Sequence, residues 1–333
     1  MKAVQITKYS KDIKTVINEV PIPQVGPDEV LIKVKTAAVN PLELLILNGK
    51  VKLIQDYQMP LTLGNECSGI IEKVGDNISK FTVGDRVYTR LPIHSMAAFA
   101  EYVAVNKDAV ALMPENMDFE IAAAIPLTGL TAYQAITEEF NAKPGETIFI
   151  AGGSGSLGQM AVPIAKEMGL NVIVSGNSRA KEEFMKLGVD RYIDYTKEDY
   201  WETISNVDYV IDTLGSSEFE RELSILKKGG ILLSLKNTPN KYFAEKNEFS
   251  FLKKQLFSIA GSKNDKTAKK SGKEYRFIFV YSNGAQLEEV TKIVEKRNIH
   301  PQIHTQIFNL SQVNEALTLV ATGPTNGKVL IRF

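Results

Sequence analysis

The feature that most constrains the fold is a glycine-rich turn between an apolar strand and an apolar helix. The turn, G-S-G-S-L-G at residues 153–158, follows Thr147–Ala151 and precedes a helix-compatible stretch that reaches Met168. In a G-x-G-x-x-G turn the first glycine allows a tight bend, the second lets the backbone approach a pyrophosphate, and the third lets helix pack on strand. The helix N-terminus also offers free N–H groups to an anion. An ordinary glycine-rich turn is the alternative, but the flanking strand and helix favour a dinucleotide site.

The residues after the next strand indicate which dinucleotide binds. A free ribose 2′-hydroxyl is normally held there by an acidic residue, whereas a 2′-phosphate needs an arginine. No Asp or Glu occurs between Asn171 and Lys181, and Arg179 offers a planar fork that suits phosphate. The accompanying hydroxyl, amide and ammonium donors are Ser175, Asn177, Ser178 and Lys181. The segment predicts NADP(H) in preference to NAD(H), with a solvated turn of incidental charge as the alternative.

Composition excludes several classes of protein. The chain has 333 residues, 44% hydrophobic and 23% charged, which is ordinary for a soluble globular protein and predicts two domains. Its 39 basic and 39 acidic residues balance, which argues against nucleic acid or a membrane surface as a partner. The single Cys67 excludes an internal disulfide and a cysteine zinc cluster. No apolar run approaches a membrane span and the N-terminus lacks a signal-peptide pattern, so we expect a cytoplasmic location.

Hydrophobic patterning divides the chain into a β-rich first part and an alternating second part. Short strands at close spacing in the first 110 residues predict a barrel or sandwich. From about Asp118 helices appear, and strands then alternate with helices, which predicts a doubly wound parallel sheet. The strands predicted for this sheet are 147–151, 172–175, 192–195, 209–213 and 231–235.

A lysine-rich segment, residues 237–273, interrupts this alternation. We expect it to be exposed and partly mobile. Its apolar residues are Phe249, Phe251, Leu252, Leu256, Phe257 and Ile259. Two interpretations account for them: a surface helix packed on the edge of the sheet, or a lid over a substrate cleft.

Further motifs, in a fixed order, reveal a family resemblance that covers the whole chain. They are G-N-E-C-S-G at 64–69, V-G-D-R-V at 83–87, A-A-A-I-P at 122–126 with Thr128, the turn at 153–158, K-L-G-V-D at 186–190 and G-K-V at 327–329. This set resembles the medium-chain dehydrogenase/reductase superfamily. The resemblance implies an α/β protein with a GroES-like β-barrel domain at 1–122 and 274–333. It also implies a doubly wound parallel-sheet (Rossmann) nucleotide-binding domain at 123–273, which includes the segment 237–273, and a homodimer by family habit.

The resemblance further implies a branch without zinc. Zinc-dependent members hold the metal through a Cys, a His beside a Glu, and a second Cys or an acid. Here Asn40 and Asn65 stand at the first two positions, and Leu127-Thr128 stands near the third. Zinc needs three or four ligands, so we expect no metal site. The remaining pattern is similar to the quinone oxidoreductase and alkenal/enone reductase branch.

By this resemblance the cofactor-binding residues are spread along the chain. The assignments are Asn40 and Thr128 at the nicotinamide ribose, Gly153, Ser154, Gly155, Ser156 and Leu157 at the pyrophosphate, Ser175, Asn177, Ser178 and Arg179 at the 2′-phosphate, Tyr195 at the adenosine, Leu214, Leu235, Phe277 and Phe279 on the nicotinamide side, and Lys328 near the mouth of the cleft. A fold that serves this purpose must bring these distant positions together.

Without zinc nothing polarises an alcohol, so the sequence favours reduction of an electrophilic acceptor. The predicted reaction is reduction of the C=C bond of an α,β-unsaturated ketone or aldehyde, with hydride transfer from NADPH to the β-carbon. No side chain is assigned as an obligatory acid. Tyr57 and Tyr88 are candidates, although a tyrosine in a barrel is usually structural. The alternatives are an NADPH:quinone oxidoreductase and a non-catalytic NADPH- or RNA-binding protein of the crystallin type, which the lysine-rich segment alone supports.

Overall fold

The computed structural model describes residues 1–323 and 325–333, and the chain divides into two compact units. The first unit contains Met1–Leu130 and Tyr281–Phe333, and the second contains Thr131–Val280. These boundaries lie seven or eight residues later in the chain than the predicted ones at 122/123 and 273/274. The second boundary lies later because Glu274–Phe277 pairs in parallel with the sheet of the second unit.

The described part of the chain forms the following strands and helices, numbered in chain order. The strands within the described residues are β1 (Lys2–Ile6), β2 (Val16–Glu19), β3 (Glu29–Val39), β4 (Leu61–Thr62), β5 (Glu66–Val74), β6 (Arg86–Arg90), β7 (Tyr102–Asn106), β8 (Val110–Leu112), β9 (Thr147–Ala151), β10 (Asn171–Gly176), β11 (Arg191–Asp194), β12 (Val207–Asp212), β13 (Leu226–Ser234), β14 (Glu274–Phe277), β15 (Ile303–Asn309) and β16 (Lys328–Arg332). The helices are α1 (Pro41–Leu47), α2 (Phe119–Ala123), α3 (Pro126–Gln134), α4 (Ser156–Glu167), α5 (Lys181–Lys186), α6 (Tyr200–Thr203), α7 (Phe219–Ile225), α8 (Lys241–Lys246), α9 (Phe251–Lys270), α10 (Gly284–Arg297) and α11 (Val313–Thr322). In this described part of the chain, no helix combines the length and the hydropathy needed to cross a bilayer.

The second unit is built on a six-stranded sheet in the order β11-β10-β9-β12-β13-β14. Every neighbouring pair in it is parallel. Strands β9 and β12 lie at its centre and are almost wholly buried, as expected where helices cover both faces of a parallel sheet. Counted from β9 the order is 3-2-1-4-5-6, the doubly wound arrangement whose ligands bind beyond the carboxyl ends of the strands. The predicted fold class is therefore confirmed.

The lysine-rich segment forms helices α8 and α9, which make the crossover between the parallel strands β13 and β14. Phe243, Phe249 and Phe257 from this crossover form an aromatic cluster with Phe277 of β14, in which contacting ring centroids lie 5.1 to 5.7 Å apart. The segment is thus tied to the edge of the sheet by its own aromatic core. This arrangement supports the surface-helix interpretation of the segment.

The first unit contains two sheets, one in the order β2-β1-β4 and one in the order β15-β16-β3-β5-β6-β8, with β7 also paired to β3. The 11-residue β3 is antiparallel to β5, β7 and β16. Because Val39 of β3 pairs with Val329 of β16, the adjoining Asn40 and Lys328 lie side by side. Glu66 of β5 likewise lies opposite Arg90 of β6. The strand register therefore brings these four polar residues to neighbouring positions.

Candidate functional site

The carboxyl ends of the parallel strands bring the predicted cofactor residues of the second unit to one edge of its sheet. The segments that follow the six strands in this way are 152–155 after β9, 177–179 after β10, Tyr195 after β11, Leu214 after β12, Leu235 after β13 and Phe279 after β14. In a doubly wound sheet this edge is where ligands bind. We refer to it as the nucleotide edge.

Gly155 and Gly158 of the glycine-rich turn at the nucleotide edge differ in the space around them. Gly158 is required by the protein itself, because an added Cβ would lie 1.7 Å from the carbonyl oxygen of Gly153. Gly155 is different: its φ of −102° suits any residue, and an added Cβ would meet no described atom within 4 Å. Gly155 is also the N-cap of the 12-residue α4, where no described side chain makes a capping hydrogen bond. A pyrophosphate fits this open N-terminus, since its free N–H groups bind anions.

The predicted residues at the end of β10 and in the turn after it differ in exposure. Ser175 is buried, and its hydroxyl accepts a hydrogen bond from the Gly152 N–H at 3.0 Å, so it supports the glycine-rich turn. The Asn177 side chain accepts from the Ala180 N–H at 3.2 Å and caps a short 3₁₀ turn. Ser178 and Arg179 are exposed, so their side chains are the better placed of the four to reach a 2′-phosphate.

A carboxylate also lies beside this turn. Asp194 ends β11 opposite Gly176, and it accepts hydrogen bonds from the Thr196 hydroxyl at 2.7 Å and the Thr196 N–H at 3.1 Å. These bonds, led by the hydroxyl, hold the pKa of Asp194 at about 2, and Lys197 lies 3.4 Å away. The negative charge of Asp194 is therefore compensated locally. The next residue, Tyr195, is 62% exposed.

Asp212 fixes the turn after β12. Its buried carboxylate accepts hydrogen bonds from the N–H groups of Leu214 and Gly215, both at 2.7 Å, from the Ser234 hydroxyl at 2.6 Å and from the Asn237 amide at 2.9 Å. These bonds join the ends of β12 and β13, where the predicted Leu214 and Leu235 lie. Sequence reasoning missed Asp212, although a carboxylate at the end of a buried strand was a visible signal.

The two phenylalanines assigned to the nicotinamide side have different surroundings. Phe277 is 7% exposed and packs edge-to-face on Phe243, with ring centroids 5.1 Å apart. Its ring contributes to the aromatic core beneath α8. Phe279 follows β14 and is half-buried.

Glu222 of α7 makes the stability of the second unit depend on pH. Its side chain is buried, and this burial, with the nearby Asp212 charge, raises the pKa of Glu222 to about 9. Between its ordinary value and 9 the folded state holds a proton that the unfolded state releases, so the free energy of unfolding falls as pH rises, by at most about 1.4 kcal/mol per pH unit. Glu222→Gln keeps the shape without the titrating proton. We expect this variant to be more stable than the wild type at pH 8.5, with a smaller difference at pH 5.

Thermal melts followed by the fluorescence of Trp201 test this expectation, because Trp201 is the only tryptophan and lies in the second unit. Other titrating groups are common to both proteins and cancel in the difference. Parallel pH profiles for the variant and the wild type would contradict the assignment of a protonated Glu222.

In the first unit, a cluster of buried polar residues surrounds Glu43 of α1. Its carboxylate accepts hydrogen bonds from the Asn40 N–H at 2.7 Å, the Asn65 N–H at 3.0 Å and the Asn65 side-chain amide at 2.6 Å. Burial raises the pKa of Glu43 to about 7, although these hydrogen bonds oppose the shift. Glu43 therefore fixes the positions of Asn40 and Asn65 together.

A buried ion pair joins the same cluster. Glu66 and Lys328 are 0% and 4% exposed, and the Lys328 ammonium lies 2.8 Å from a Glu66 oxygen. Glu66 also accepts from the Asn40 amide at 3.0 Å and the Leu127 N–H at 2.6 Å. Thr128, next to Leu127, is half-buried and donates to the carbonyls of the preceding turn. The first-unit residues predicted to bind cofactor, Asn40, Thr128 and Lys328, thus lie at or beside Glu66.

The residues of this cluster do not fit a zinc ion. Asn40 and Asn65 direct their amide N–H groups at Glu66 and Glu43, and the positive charge beside Glu66 is the Lys328 ammonium. Zinc needs lone pairs from thiolate, imidazole or carboxylate ligands. Within residues 1–323 and 325–333, no group of three or more His, Cys, Asp or Glu side chains could hold a metal ion.

Sequence reasoning named Asn40 and Lys328 of this cluster but not Glu43 or Arg90. The pattern N-P-L-E at 40–43 carries a signal for Glu43, because a glutamate three residues after an N-cap reaches back to the cap backbone. No local pattern indicates a role for Arg90, because the residues around it lie on the neighbouring strand β5 and at Ser282, far along the chain.

Comparisons with known proteins agree with this architecture. The chain matches a model of the alcohol dehydrogenase GroES-like domain over residues 26–115 and one of zinc-binding dehydrogenases over residues 187–331. It is 31% identical over 343 residues to the 2-methylene-furan-3-one reductase of Solanum lycopersicum, with 99% of this chain and 79% of that protein covered. It is 28% identical over 342 residues to the chloroplastic NADPH-dependent alkenal/one oxidoreductase of Arabidopsis thaliana, with the same shares of the two chains covered.

A solved structure extends the likeness to three dimensions. The quinone oxidoreductase from Coxiella burnetii matches with a TM-score of 0.82 at 27% identity, over 100% of this chain and 99% of that one. The motifs, the parallel sheet and the relatives therefore lead to one conclusion: this chain belongs to the medium-chain dehydrogenase/reductase superfamily of oxidoreductases.

Proposed function

We propose that this oxidoreductase uses NADPH to reduce the C=C bond of α,β-unsaturated ketones and aldehydes. The observation that supports dinucleotide binding is Gly155, which lies at the N-terminus of α4 without a side-chain cap. Neither its backbone angles nor any described neighbour requires a glycine there. The acceptor class is supported by the names of the tomato and Arabidopsis relatives, a furanone reductase and an alkenal/one oxidoreductase.

The preference for NADPH over NADH rests on Arg179. It is exposed at the turn after β10, and no carboxylate occurs between Asn171 and Lys181 to bind a free 2′-hydroxyl. A hydrogen bond to a charged phosphate contributes about 1.5–3 kcal/mol. We therefore expect Arg179→Ala to raise the Kd for NADPH roughly ten- to hundredfold, and the Kd for NADH by less than about twofold.

Titration of nicotinamide fluorescence with each cofactor measures this difference. Lys186→Ala is the matched control, because Lys186 is an exposed cation on α5 that is paired with Glu182. Equal losses for NADPH and NADH in the Arg179 variant would show that the side chain does not bind the 2′-phosphate.

The mechanism needs few titrating side chains. A bound nicotinamide supplies the hydride for the β-carbon of the acceptor. The glycine-rich turn binds the pyrophosphate through backbone N–H groups, and Asp212 holds the neighbouring turn in one conformation. Burial raises the pKa of the Tyr57 hydroxyl, so Tyr57 stays a hydrogen-bond donor and is a poor acid. The α-carbon then takes its proton from solvent.

Anaerobic oxidation of NADPH with a simple conjugated enone tests the proposed reaction. The expected product is the saturated ketone, formed in equal amount to the NADPH consumed. An intact enone, in the presence of demonstrably bound NADPH, would overturn the proposal.

Quinone reduction is the second candidate. It is favoured by the likeness of the whole chain to the Coxiella burnetii quinone oxidoreductase. A quinone series in the same assay separates the two candidates, because quinone reduction yields a hydroquinone and leaves an isolated enone unchanged. The non-catalytic alternative predicts turnover with neither acceptor.

A further inference from the structure

Arg90, the last residue of β6, is a buried cation with an open hydrogen-bonding edge. Its side chain is 0% exposed. One terminal nitrogen, Nη1, donates to the Leu91 carbonyl at 2.5 Å and to the Ser282 hydroxyl at 3.3 Å. No group of the described residues accepts a hydrogen bond from Nε or from Nη2. These two nitrogens form one edge of the planar guanidinium, so two parallel N–H donors are directed at a place where the described residues supply no acceptor.

The nearby carboxylates do not serve as partners for this edge. Glu66 lies opposite Arg90 in the sheet, but its oxygens accept from Lys328, Asn40 and Leu127. Glu43 accepts from Asn40 and Asn65. Both carboxylates act on Arg90 through their charge alone, and burial lowers the pKa of Arg90 only to about 10. Arg90 is therefore charged at neutral pH, and its Nε and Nη2 donate to no acceptor of the described residues.

Tyr57 supplies a second donor within electrostatic range of Arg90. Its hydroxyl and the Arg90 charge interact electrostatically, and the hydroxyl donates to the Met96 sulfur at 3.7 Å. A thioether is a weak acceptor, so an oxygen of higher charge would replace it. The side chain is 8% exposed, and it lies in the first unit with Arg90.

We propose that the Nε–Nη2 edge of Arg90 binds the carbonyl oxygen of the acceptor and stabilises the enolate that forms from it, with Tyr57 as an auxiliary donor. This inference rests on the proposed enone reduction. When hydride from NADPH adds to the β-carbon, the C=C electrons form the new C=C bond of the enolate, and the C=O electrons move to oxygen. The oxygen gains a full negative charge, and a solvent proton at the α-carbon later returns it to a ketone.

A charged guanidinium with an open edge suits an oxygen that becomes negative during the reaction. A carbonyl enters neutral and acquires charge only as the hydride adds. Donors placed in advance for such a charge act on the rate of the chemical step, and the fork of an arginine suits oxygen anions.

A spectroscopic measurement on the wild-type protein tests the site without any variant. Acetylacetone is a neutral diketone at pH 7, and its enolate absorbs at longer wavelength than its neutral forms. We expect the protein saturated with NADP⁺ to bind acetylacetone as the enolate. Arg90→Gln should abolish the enolate band, whereas Arg332→Gln, which removes an exposed cation paired with Glu120 in the same unit, should keep it. No enolate band for the wild type at millimolar acetylacetone overturns the proposal.

Kinetics with an enone give an independent test. Arg90→Gln should lower kcat roughly a hundredfold with little change in KM, since loss of one oxyanion donor costs about 10²–10³ in kcat. Arg90→Ala should be partly rescued by guanidinium ions, which restore the donors in the space the side chain vacates. A raised KM at constant kcat, or unchanged kinetics in a variant that binds NADPH normally, refutes an enolate-binding role. If the wild type shows the enolate band but does not turn over an enone, the proposed reaction is refuted, whereas the binding of an oxyanion by Arg90 is supported.

Discussion

Replacing Gly155 by aspartate is expected to weaken NADPH binding strongly and to leave the protein at least as stable as the wild type. The backbone at Gly155 is extended, with φ −102° and ψ −169°, and an added Cβ meets no described atom within 4 Å. Aspartate is among the preferred N-cap residues, so α4 should gain a few tenths of a kcal/mol. The same carboxylate would occupy the position of the pyrophosphate and repel it. We expect the Kd for NADPH to rise at least about a hundredfold, or about 2.7 kcal/mol.

Gly155→Asn is the matched control for charge. Asparagine has nearly the same shape and the same capping ability, so it should block the pyrophosphate sterically without repelling it. The affinity for NADPH should therefore fall in the order wild type, asparagine, aspartate, as measured by fluorescence titration. Unfolding melts should place both variants at or above the wild type. An aspartate variant that binds NADPH normally would remove the glycine-rich turn from the proposed nucleotide site.

Gly158→Ala, in contrast, should lower the stability of the second unit. An alanine Cβ at this position would lie 1.7 Å from the Gly153 carbonyl oxygen, so the turn or α4 must shift. Such overpacking costs about 1–3 kcal/mol, which Trp201 fluorescence would detect as an earlier unfolding transition of the second unit. We therefore expect Gly158 to be needed for the fold and Gly155 to be needed for binding of the pyrophosphate.

The sequence predicted the second unit well because its signals are local. A strand of a parallel sheet is a short apolar run between turn residues, and β9 has the predicted bounds. Strand β13 begins at Leu226 instead of 231, since two lysines and two glycines hide its first half from a hydrophobicity pattern. The many lysines of residues 237–273 predict an exposed and partly mobile segment. Phe243, Phe249 and Phe257 pack together only when α8, α9 and β14 meet.

The buried cluster of the first unit could be predicted only in part. Asn40 and Lys328 were assigned by resemblance, yet nothing local indicates that they meet at Glu66. That meeting depends on the register of β3 with β5 and with β16, and the second pairing joins Val39 to Val329, far along the chain. A single sequence contains no measure of such pairings, so neither the ion pair nor the open edge of Arg90 is visible in it.

The ion pair between Glu66 and Lys328 leads to the second large effect. Lys328→Met is expected to destabilise the first unit by about 3–5 kcal/mol, because it removes the one cation in direct contact with the buried Glu66 carboxylate among the described residues. Both partners are at least 96% buried and their charged atoms are 2.8 Å apart. The Asn40 and Leu127 N–H groups would remain on Glu66, but neutral donors do not replace a positive charge.

The double variant Glu66→Gln, Lys328→Met separates the charge from the packing. Glutamine can still accept from Leu127, and with both charges removed most of the lost stability should return, since a buried ion pair adds little net stability over neutral groups of similar volume. Denaturant unfolding followed by circular dichroism measures the single and double variants on one scale. If the double variant is as unstable as Lys328→Met alone, the cost lies in the lost packing of the lysine stem, and the ion pair does not control the stability of the cluster.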